Sequence, residues 1–356
     1  MKITLAISGE TRLKLNFTKL INSGLLNFAI NQSKTAERKI VMIKNTLPSI
    51  KGVIPALITP FKDDGAIYET GLKNLVEDLI ESGIGGFYLT GSTGEGFLMT
   101  AEERKKVVEI VIEQTAKRVP VIVHVGTIDT KTAEDLAKHA YDSGANAISS
   151  VPPFYYRFEF NEIYNYYKDL ASAAPLPLVI YNIPATTGVE IGLPAIKKLA
   201  GIDNVMGIKY TSFNHYDMQR ISEFNNGRIT VFSGADEMCV SGLIMGAVGL
   251  IGSFYNLIPD LYVRIYKQVV EQKDIVSAQK NLLIANDIIQ VVLRYGSSGA
   301  QVGIKPAMKF MGIDCGTVRK PFKKLRAEDI ENMKQDLLRI REERNAEGIR
   351  LLDALK

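Results

Sequence analysis

The sequence predicts a (β/α)8 barrel followed by C-terminal helices. Eight short apolar runs lie between residues 52 and 253, and segments with apolar residues at helical spacing separate them. The runs are apolar almost throughout, as expected for strands of a parallel sheet covered by helices. Eight such strand and helix pairs close most economically into a barrel of about 250 residues. A doubly wound open sheet would give a similar pattern and stays the alternative.

The predicted strands and helices alternate along the chain. The eight strand runs are GVIPALIT, GGFYLT, VPVIVHVG, NAISSVP, LPLVIYNIP, VMGIKYTS, RITVFSG and VGLIGS. Intervening segments such as TAEERKKVVEIVIEQTAKR carry acids near their starts, which favours helices. Further helices are predicted over roughly 259–295, 300–311 and 326–354. We therefore divide the chain into an N-terminal extension (1–50), a barrel (51–256) and C-terminal helices (257–356).

The composition is that of a soluble globular protein, with 46% hydrophobic and 23% charged residues. It excludes disordered and collagen-like chains, and no apolar stretch reaches the roughly 18 residues of a membrane helix. The two cysteines, Cys239 and Cys315, are expected to be buried thiols in a reducing compartment. No spacing of His, Cys and carboxylates resembles a metal site. We expect a cytoplasmic protein with no metal and no membrane partner.

The positive charge is concentrated at the N-terminus. Residues 1–50 hold eight Lys or Arg and two Glu, which exceeds the chain's net charge of +4, so the remainder is slightly acidic. That remainder offers no concentrated basic face for nucleic acid. The N-terminal extension shows no clear strand alternation and no secretory cleavage motif. A transit-like presequence, an interaction arm, or vector or upstream residues before a start at Met42 are the alternatives, and we expect the chemistry to lie after residue 50.

Two residues at neighbouring strand ends stand out, because the chemistry of such barrels lies at the C-terminal ends of the strands. Lys209 ends the sixth predicted strand and Tyr181 ends the fifth. Burial disfavours a charged amine, and a neutral amine can attack a carbonyl and form a Schiff base. A phenol beside it can relay protons. The structural alternatives are a solvated lysine and a buried core tyrosine with a satisfied hydroxyl.

A glycine-rich turn, TGSTGEG, follows the second strand at residues 90–96. Its glycines give G-x-x-G-x-G with no following lysine, which fits neither the Rossmann fingerprint nor the P-loop. Ser92 and Thr93 supply adjacent hydroxyls beside backbone N–H groups near the start of a helix. Such a turn suits a single carboxylate.

The motifs ALITPF, GSTGEGF, PPFYYRF, YNIPATTG, GIKYTS, SGADE, IGSFYN and RKPF occur in order between about residue 51 and about residue 322. In this the chain resembles the dihydrodipicolinate synthase and N-acetylneuraminate lyase family of pyruvate-dependent class I aldolases. The resemblance implies a (β/α)8 barrel, a homotetramer built as a dimer of dimers, and a covalent Schiff base with no cofactor.

The resemblance also implies roles for individual residues. Lys209 matches the Schiff-base lysine and Tyr181 the proton-relay tyrosine. Ser92 and Thr93 match the residues that bind the pyruvyl carboxylate. Tyr155 matches the tyrosine that reaches across the tight dimer interface to complete the relay, with an interface aromatic of no chemical role as the alternative.

Departures from the family pattern indicate which branch the chain is similar to. Thr186 stands where synthases carry an arginine that pairs with a substrate carboxylate, and losing that cation should weaken binding of a charged semialdehyde. PFYYRF and SGADE resemble the lyase branch. There, Thr211 matches a residue near the cleaved bond, and groups that bind the polyhydroxylated tail match Gly234, Asp236, Glu237 and Ser253. Ala235 replaces an expected aromatic residue, so the exact sugar stays open.

The resemblance therefore implies reversible aldol cleavage of the sialic acid N-acetylneuraminate to pyruvate and N-acetylmannosamine. A 4-hydroxy-tetrahydrodipicolinate synthase or another 2-keto-acid aldolase is the alternative within the family. A non-catalytic sensor of sialic acid or pyruvate is the alternative from another class. The complete set of Lys209, Tyr181 and Thr211 argues against the sensor.

Overall fold

The computed structural model describes residues 2–6, 12–16, 47–224 and 226–355. The chain forms two compact units, Met1–Asn45 and Thr46–Lys356. In the first unit, strands Lys2–Ala6 and Arg12–Asn16 pair antiparallel. This hairpin was not predicted from the sequence, because an alternation over five residues is too short to stand out. The rest of the basic extension up to Thr46 lies outside the described residues, and its irrelevance to the chemistry stays a prediction.

The second unit contains one parallel sheet of eight strands. Its strands are Gly52–Pro55, Phe87–Leu89, Val121–His124, Ala147–Ser150, Leu178–Asn182, Val205–Tyr210, Thr230–Ser233 and Gly249–Gly252. Each lies within one of the eight predicted runs. The first strand pairs with the eighth, and a bridge between Ala56 and Tyr88 joins the first strand to the second. The ring of strands is therefore closed, which confirms the barrel and rules out the open sheet.

A helix follows every strand of the barrel. These eight helices are Glu69–Glu81, Ala101–Thr115, Thr130–Ser143, Phe160–Ala173, Leu193–Leu199, His215–Glu223, Cys239–Ile244 and Pro259–Lys267, with a short helix Pro184–Thr187 in the fifth loop. At the starts of these helices, acidic and hydroxyl side chains accept hydrogen bonds from backbone N–H groups of the first turn. Thr100 and Glu103 form a reciprocal capping box, and the Asp129 side chain accepts from the Thr132 N–H.

The C-terminal helices begin later than the predicted division at residue 257. Helix Pro259–Lys267 packs against the first strand, so it completes the barrel. A π-helical turn at Gln268–Gln272 ends it, and Asp274 caps the next helix. The remaining α-helices are Ile275–Tyr295, Ala300–Met308, Ala327–Arg344 and Arg350–Asp353; short 3-10 turns occupy Leu47–Ser49, Gly96–Leu98, Asp236–Met238, Phe254–Asn256 and Lys309–Met311.

Burial settles two further points. Leu47 and Ile50 are buried, so residues just before the predicted division at residue 50 pack within the barrel unit. Cys239 and Cys315 are both free and buried, as expected. Within the described ranges, no helix is long and apolar enough to cross a bilayer.

Candidate active site

The structure brings Lys209 and Tyr181 together at the C-terminal end of the barrel. The fifth and sixth strands pair in a register that places these two residues side by side. Both side chains are only 4% exposed. The Lys209 amine lies 4.1 Å from the centre of the Tyr181 ring and 4.5 Å from that of Tyr88. Two aromatic faces therefore hold the amine in one place beneath the mouth of the barrel.

Tyr88 is a site residue that sequence analysis missed, although it lies in a predicted strand. Its hydroxyl donates to Ser149 Oγ at 3.0 Å, and that hydroxyl donates to the Val179 carbonyl at 2.8 Å. The Tyr88 and Tyr181 rings meet edge to face, with centroids 5.9 Å apart. The Tyr88 hydroxyl is thus committed to the barrel interior, and its ring forms a wall beside Lys209.

His124 and Arg104 lie beside Tyr88, at the end of the third strand. Burial, with the positive charges of Arg104 and Lys209, holds the pKa of His124 well below its usual value. The imidazole is therefore neutral at physiological pH. The buried Arg104 guanidinium donates to the carbonyls of His124 and Gly126 at 2.6 and 3.1 Å, and burial lowers its pKa to about 10. Arg104 still remains charged near neutral pH and fixes the end of the third strand.

The glycine-rich loop places its two predicted hydroxyls differently. Thr93 is 7% exposed, and its Oγ1 lies 2.7 Å from Ser253 Oγ. Ser92 is exposed on the same turn. The resemblance assigned Thr93 and Ser253 to opposite ends of a substrate, whereas here their hydroxyls are bonded to each other. A ligand that binds either hydroxyl will therefore also affect the other.

A cavity of about 580 Å³ opens above the last four strands, a volume suited to a small molecule. Five of the predicted residues line it: Thr211, Gly234, Asp236, Glu237 and Ser253. Asn286 and Gln290 also line it, from the C-terminal helix Ile275–Tyr295. The sequence gave no signal for these two, because nothing in a late helix indicates that it lies over the barrel mouth. None of the residues found to line this cavity is a lysine or arginine.

Two glycines make room for polar groups at the cavity floor. A Cβ on Gly234 would lie 1.9 Å from Thr211 Oγ1, and one on Gly252 would lie 1.6 Å from an Asp236 carboxylate oxygen. Any side chain at either position would displace those oxygens. The second Asp236 oxygen accepts from the Phe254 N–H at 2.8 Å, so this carboxylate also anchors the loop after the eighth strand.

Burial raises the pKa of the Asp236 carboxyl to about 7. The Phe254 N–H and the Lys209 charge oppose the rise, while Glu237 adds to it. In mildly acid solution Asp236 is therefore mostly neutral, and above neutrality it is mostly a carboxylate. Only the carboxylate is a pure hydrogen-bond acceptor for substrate hydroxyls.

We expect kcat/KM for a polyhydroxylated substrate to rise about tenfold from about pH 6 to about pH 8, as Asp236 ionises. In Asp236→Asn the side chain does not titrate, so this rise should flatten while overall activity falls. Initial rates at limiting substrate across this pH range measure both effects, with Glu237→Gln as the matched control. An unchanged inflection in Asp236→Asn would assign the ionisation to another group.

Tyr155 lies apart from these residues within a single chain. Its side chain is 81% exposed, and it is not among the residues that line the cavity. Its φ is +83°, a backbone conformation that costs free energy for a residue other than glycine. Its ring packs edge to face on Tyr156, which is 63% exposed. The segment thus presents two aromatic rings to the outside of the chain.

No cluster of three or more His, Cys, Asp or Glu side chains in the described part of the chain could hold a metal ion. The buried Asp236 and Cys239 are near neighbours, but burial raises the pKa of both groups. The chemistry that this geometry offers is therefore that of a buried amine, phenols, hydroxyls and carboxylates.

Comparison with known proteins agrees with this geometry. The model of the dihydrodipicolinate synthetase family matches residues 49–340, which include all strands and helices of the barrel and most of the C-terminal helices. The chain belongs to this family. Curated relatives in it include N-acetylneuraminate lyase from Rhizobium meliloti, 37% identical over 80% of this chain and 94% of that protein. Another is N-acetylneuraminate lyase 2 from Escherichia coli O6:H1, 38% identical over 82% and 95%.

Solved structures of similar proteins superpose on most of the chain. Wild-type sialic acid aldolase from Ruminococcus gnavus aligns with a TM-score of 0.79 at 31% identity, over 86% of this chain and 98% of that one. The same aldolase has been solved as a catalytic lysine mutant, with the same TM-score and identity. That aldolase, to which this chain is similar, therefore has a catalytic lysine.

Proposed function

We propose that the protein is an N-acetylneuraminate lyase, which cleaves this sialic acid reversibly to pyruvate and N-acetylmannosamine. The observation that carries the proposal is the cavity next to the buried Lys209. Its polar lining consists of hydroxyls, carboxylates and amides, with no cationic side chain among the residues found there. Such a lining suits a polyhydroxylated sugar, whereas the carboxylate of an aspartate semialdehyde would find no cation to pair with.

In this mechanism the Lys209 amine attacks the C2 ketone of the open-chain sugar, and loss of water gives an iminium ion. Removal of the C4 hydroxyl proton lets the electrons of the C3–C4 bond move to the iminium nitrogen. The aldehyde N-acetylmannosamine leaves, and an enamine remains on Lys209. Protonation at C3 and hydrolysis then release pyruvate and restore the amine.

The surrounding residues have separate roles in this proposal. Tyr181, beside the amine, takes and returns the proton of the C4 hydroxyl, with Thr211 near the cleaved bond. Ser92 and Thr93 bind the keto-acid carboxylate. The hydroxylated tail is held by Gly234, Asp236, Glu237 and Ser253. Of these, Gly234 lies against the Thr211 hydroxyl, and Asp236 lies against Gly252. No cofactor enters, since the iminium nitrogen is the electron sink.

We further propose a cytoplasmic homotetramer in which Tyr155 of one subunit completes the relay of its neighbour. The exposed aromatic side chains Phe97, Tyr155 and Tyr156 support a contact surface here, because soluble chains rarely leave such clusters open to water. The positive φ of Tyr155 supports a functional reason for its placement. The sparse, buried cysteines support a reducing compartment.

A product assay tests the proposed function. Incubation with N-acetylneuraminate should release pyruvate, and incubation with pyruvate plus aspartate semialdehyde should leave both unchanged. Lactate dehydrogenase coupling follows the first reaction, and loss of semialdehyde follows the second. Turnover of the semialdehyde alone would make the protein a synthase, the alternative within the family.

A further inference from the structure

A buried ion pair lies directly behind the glycine-rich loop. Lys305 of helix Ala300–Met308 donates to Glu95 of the loop at 2.5 Å, and their side chains are 1% and 0% exposed. Removing two charges from water costs free energy that their attraction often fails to recover, and apolar replacements are frequently as stable. Stability alone is therefore a weak explanation for this pair.

Both partners also form hydrogen bonds with backbone groups. The Lys305 amine also donates to the carbonyls of Thr59 and Thr317, at 2.7 and 2.8 Å. The other Glu95 oxygen accepts from the Arg319 N–H at 2.8 Å. The pair thus ties the loop to the segment after the first strand on one side and to the segment after helix Ala300–Met308 on the other.

The loop needs such ties because its backbone is not relaxed. Thr90 and Glu95 have φ values of +54° and +56°, in the left-handed region that costs an ordinary residue about 1 kcal/mol or more. The Thr59 hydroxyl donates to the Gly94 carbonyl at 2.7 Å. Tertiary contacts, rather than local preference, therefore keep the loop in this shape.

Thr93, two residues before Glu95, belongs to the same tightly held turn. Recognition of a carboxylate depends on donors fixed within a few tenths of an ångström. Resting on the proposed function, we infer that Glu95 and Lys305 are positioning residues for the keto-acid carboxylate: by fixing the turn that carries Ser92 and Thr93, they let a C-terminal helix set the affinity for the pyruvate end of the substrate.

The test compares the two ends of the reaction in the direction of synthesis. Glu95→Gln and Lys305→Met should each raise the KM for pyruvate at least about tenfold, and the KM for N-acetylmannosamine should change less than about twofold. The pyruvate concentration for half-maximal inactivation by borohydride should rise in parallel. Thr93→Val, which removes one of the two hydroxyls proposed to bind the carboxylate, should also raise the KM for pyruvate and sets the scale of that effect.

Lys309→Met is the matched control, since this lysine lies one turn further along and pairs with Asp314 at the surface. It should keep wild-type constants. A double variant, Glu95→Gln with Lys305→Met, leaves no unpaired buried charge, so it should fold even where a single variant does not. Its pyruvate KM should still be raised, with a melting temperature measured by circular dichroism showing that it is folded.

A folded double variant with wild-type pyruvate KM and half-saturation would show that the pair is only structural, and would overturn the inference. The same holds if the N-acetylmannosamine KM rises as much as the pyruvate KM. Failure of the proposed function would look different: the wild-type enzyme itself would neither release pyruvate from the sugar nor be inactivated by pyruvate and borohydride.

Discussion

Lys209→Ala is expected to lower kcat for pyruvate release by at least about 10⁴-fold, which is about 5 kcal/mol of lost transition-state stabilisation. In the proposed mechanism the amine forms the covalent bond on which every later step depends, and no lysine is among the residues found to line the adjoining cavity. Coupled pyruvate assays at saturating substrate measure the loss. The variant should still fold, because a lysine-to-alanine change between two tyrosine rings leaves the strand pairing intact.

Lys198→Ala is the control for this experiment. Lys198 also packs on an aromatic face, with its amine 4.9 Å from the centre of the Phe160 ring, but it is exposed on an outer helix. Its loss should leave kcat unchanged. Comparable activity in Lys209→Ala and Lys198→Ala would remove Lys209 from the mechanism.

Tyr181→Phe should lower kcat by roughly 10²- to 10⁴-fold, the usual contribution of a positioned proton donor or acceptor. The ring that packs 4.1 Å from the Lys209 amine is retained, so the change isolates the hydroxyl. Adduct formation with pyruvate should become slower but should still reach Lys209. Steady-state rates and the time course of borohydride inactivation measure the two effects.

A second buried tyrosine provides the comparison. The Tyr167 hydroxyl donates to the Ser150 carbonyl at 3.0 Å on the outer side of the barrel wall, away from the cavity. Tyr167→Phe should cost about 1 kcal/mol of stability and leave kcat close to wild type. Equal kinetic losses in both variants would mean that the Tyr181 hydroxyl acts through the fold and not in proton transfer.

Much of this site could be predicted because its position follows from strand order. Parallel strands bring their C-terminal ends to one rim, so Lys209 and Tyr181 had to be neighbours once the fifth and sixth strands were located. Gly234, Asp236 and Ser253 follow the seventh and eighth strands, so the same geometry brings them to that rim. Eight short apolar runs, separated by segments with helical spacing, sufficed to locate all eight strands.

What sequence analysis missed depends on contacts between distant segments. Glu95 and Lys305 are 210 residues apart, and Thr93 and Ser253 are 160 apart. No local pattern indicates that either pair will meet, because their contact is created only when the barrel closes and the C-terminal helices pack on it. Tyr88 was missed for another reason: an aromatic residue in an apolar strand run looks the same whether it fills a core or lines a site.

Reductive trapping shows whether Lys209 forms a Schiff base with a 2-keto acid, as the proposed mechanism requires. The wild-type protein is incubated with pyruvate and sodium borohydride, digested, and analysed by mass spectrometry. We expect one reduced pyruvate adduct, located on the peptide that contains Lys209 and absent from Lys209→Ala. An unmodified protein, or an adduct on another lysine that persists in Lys209→Ala, would contradict it.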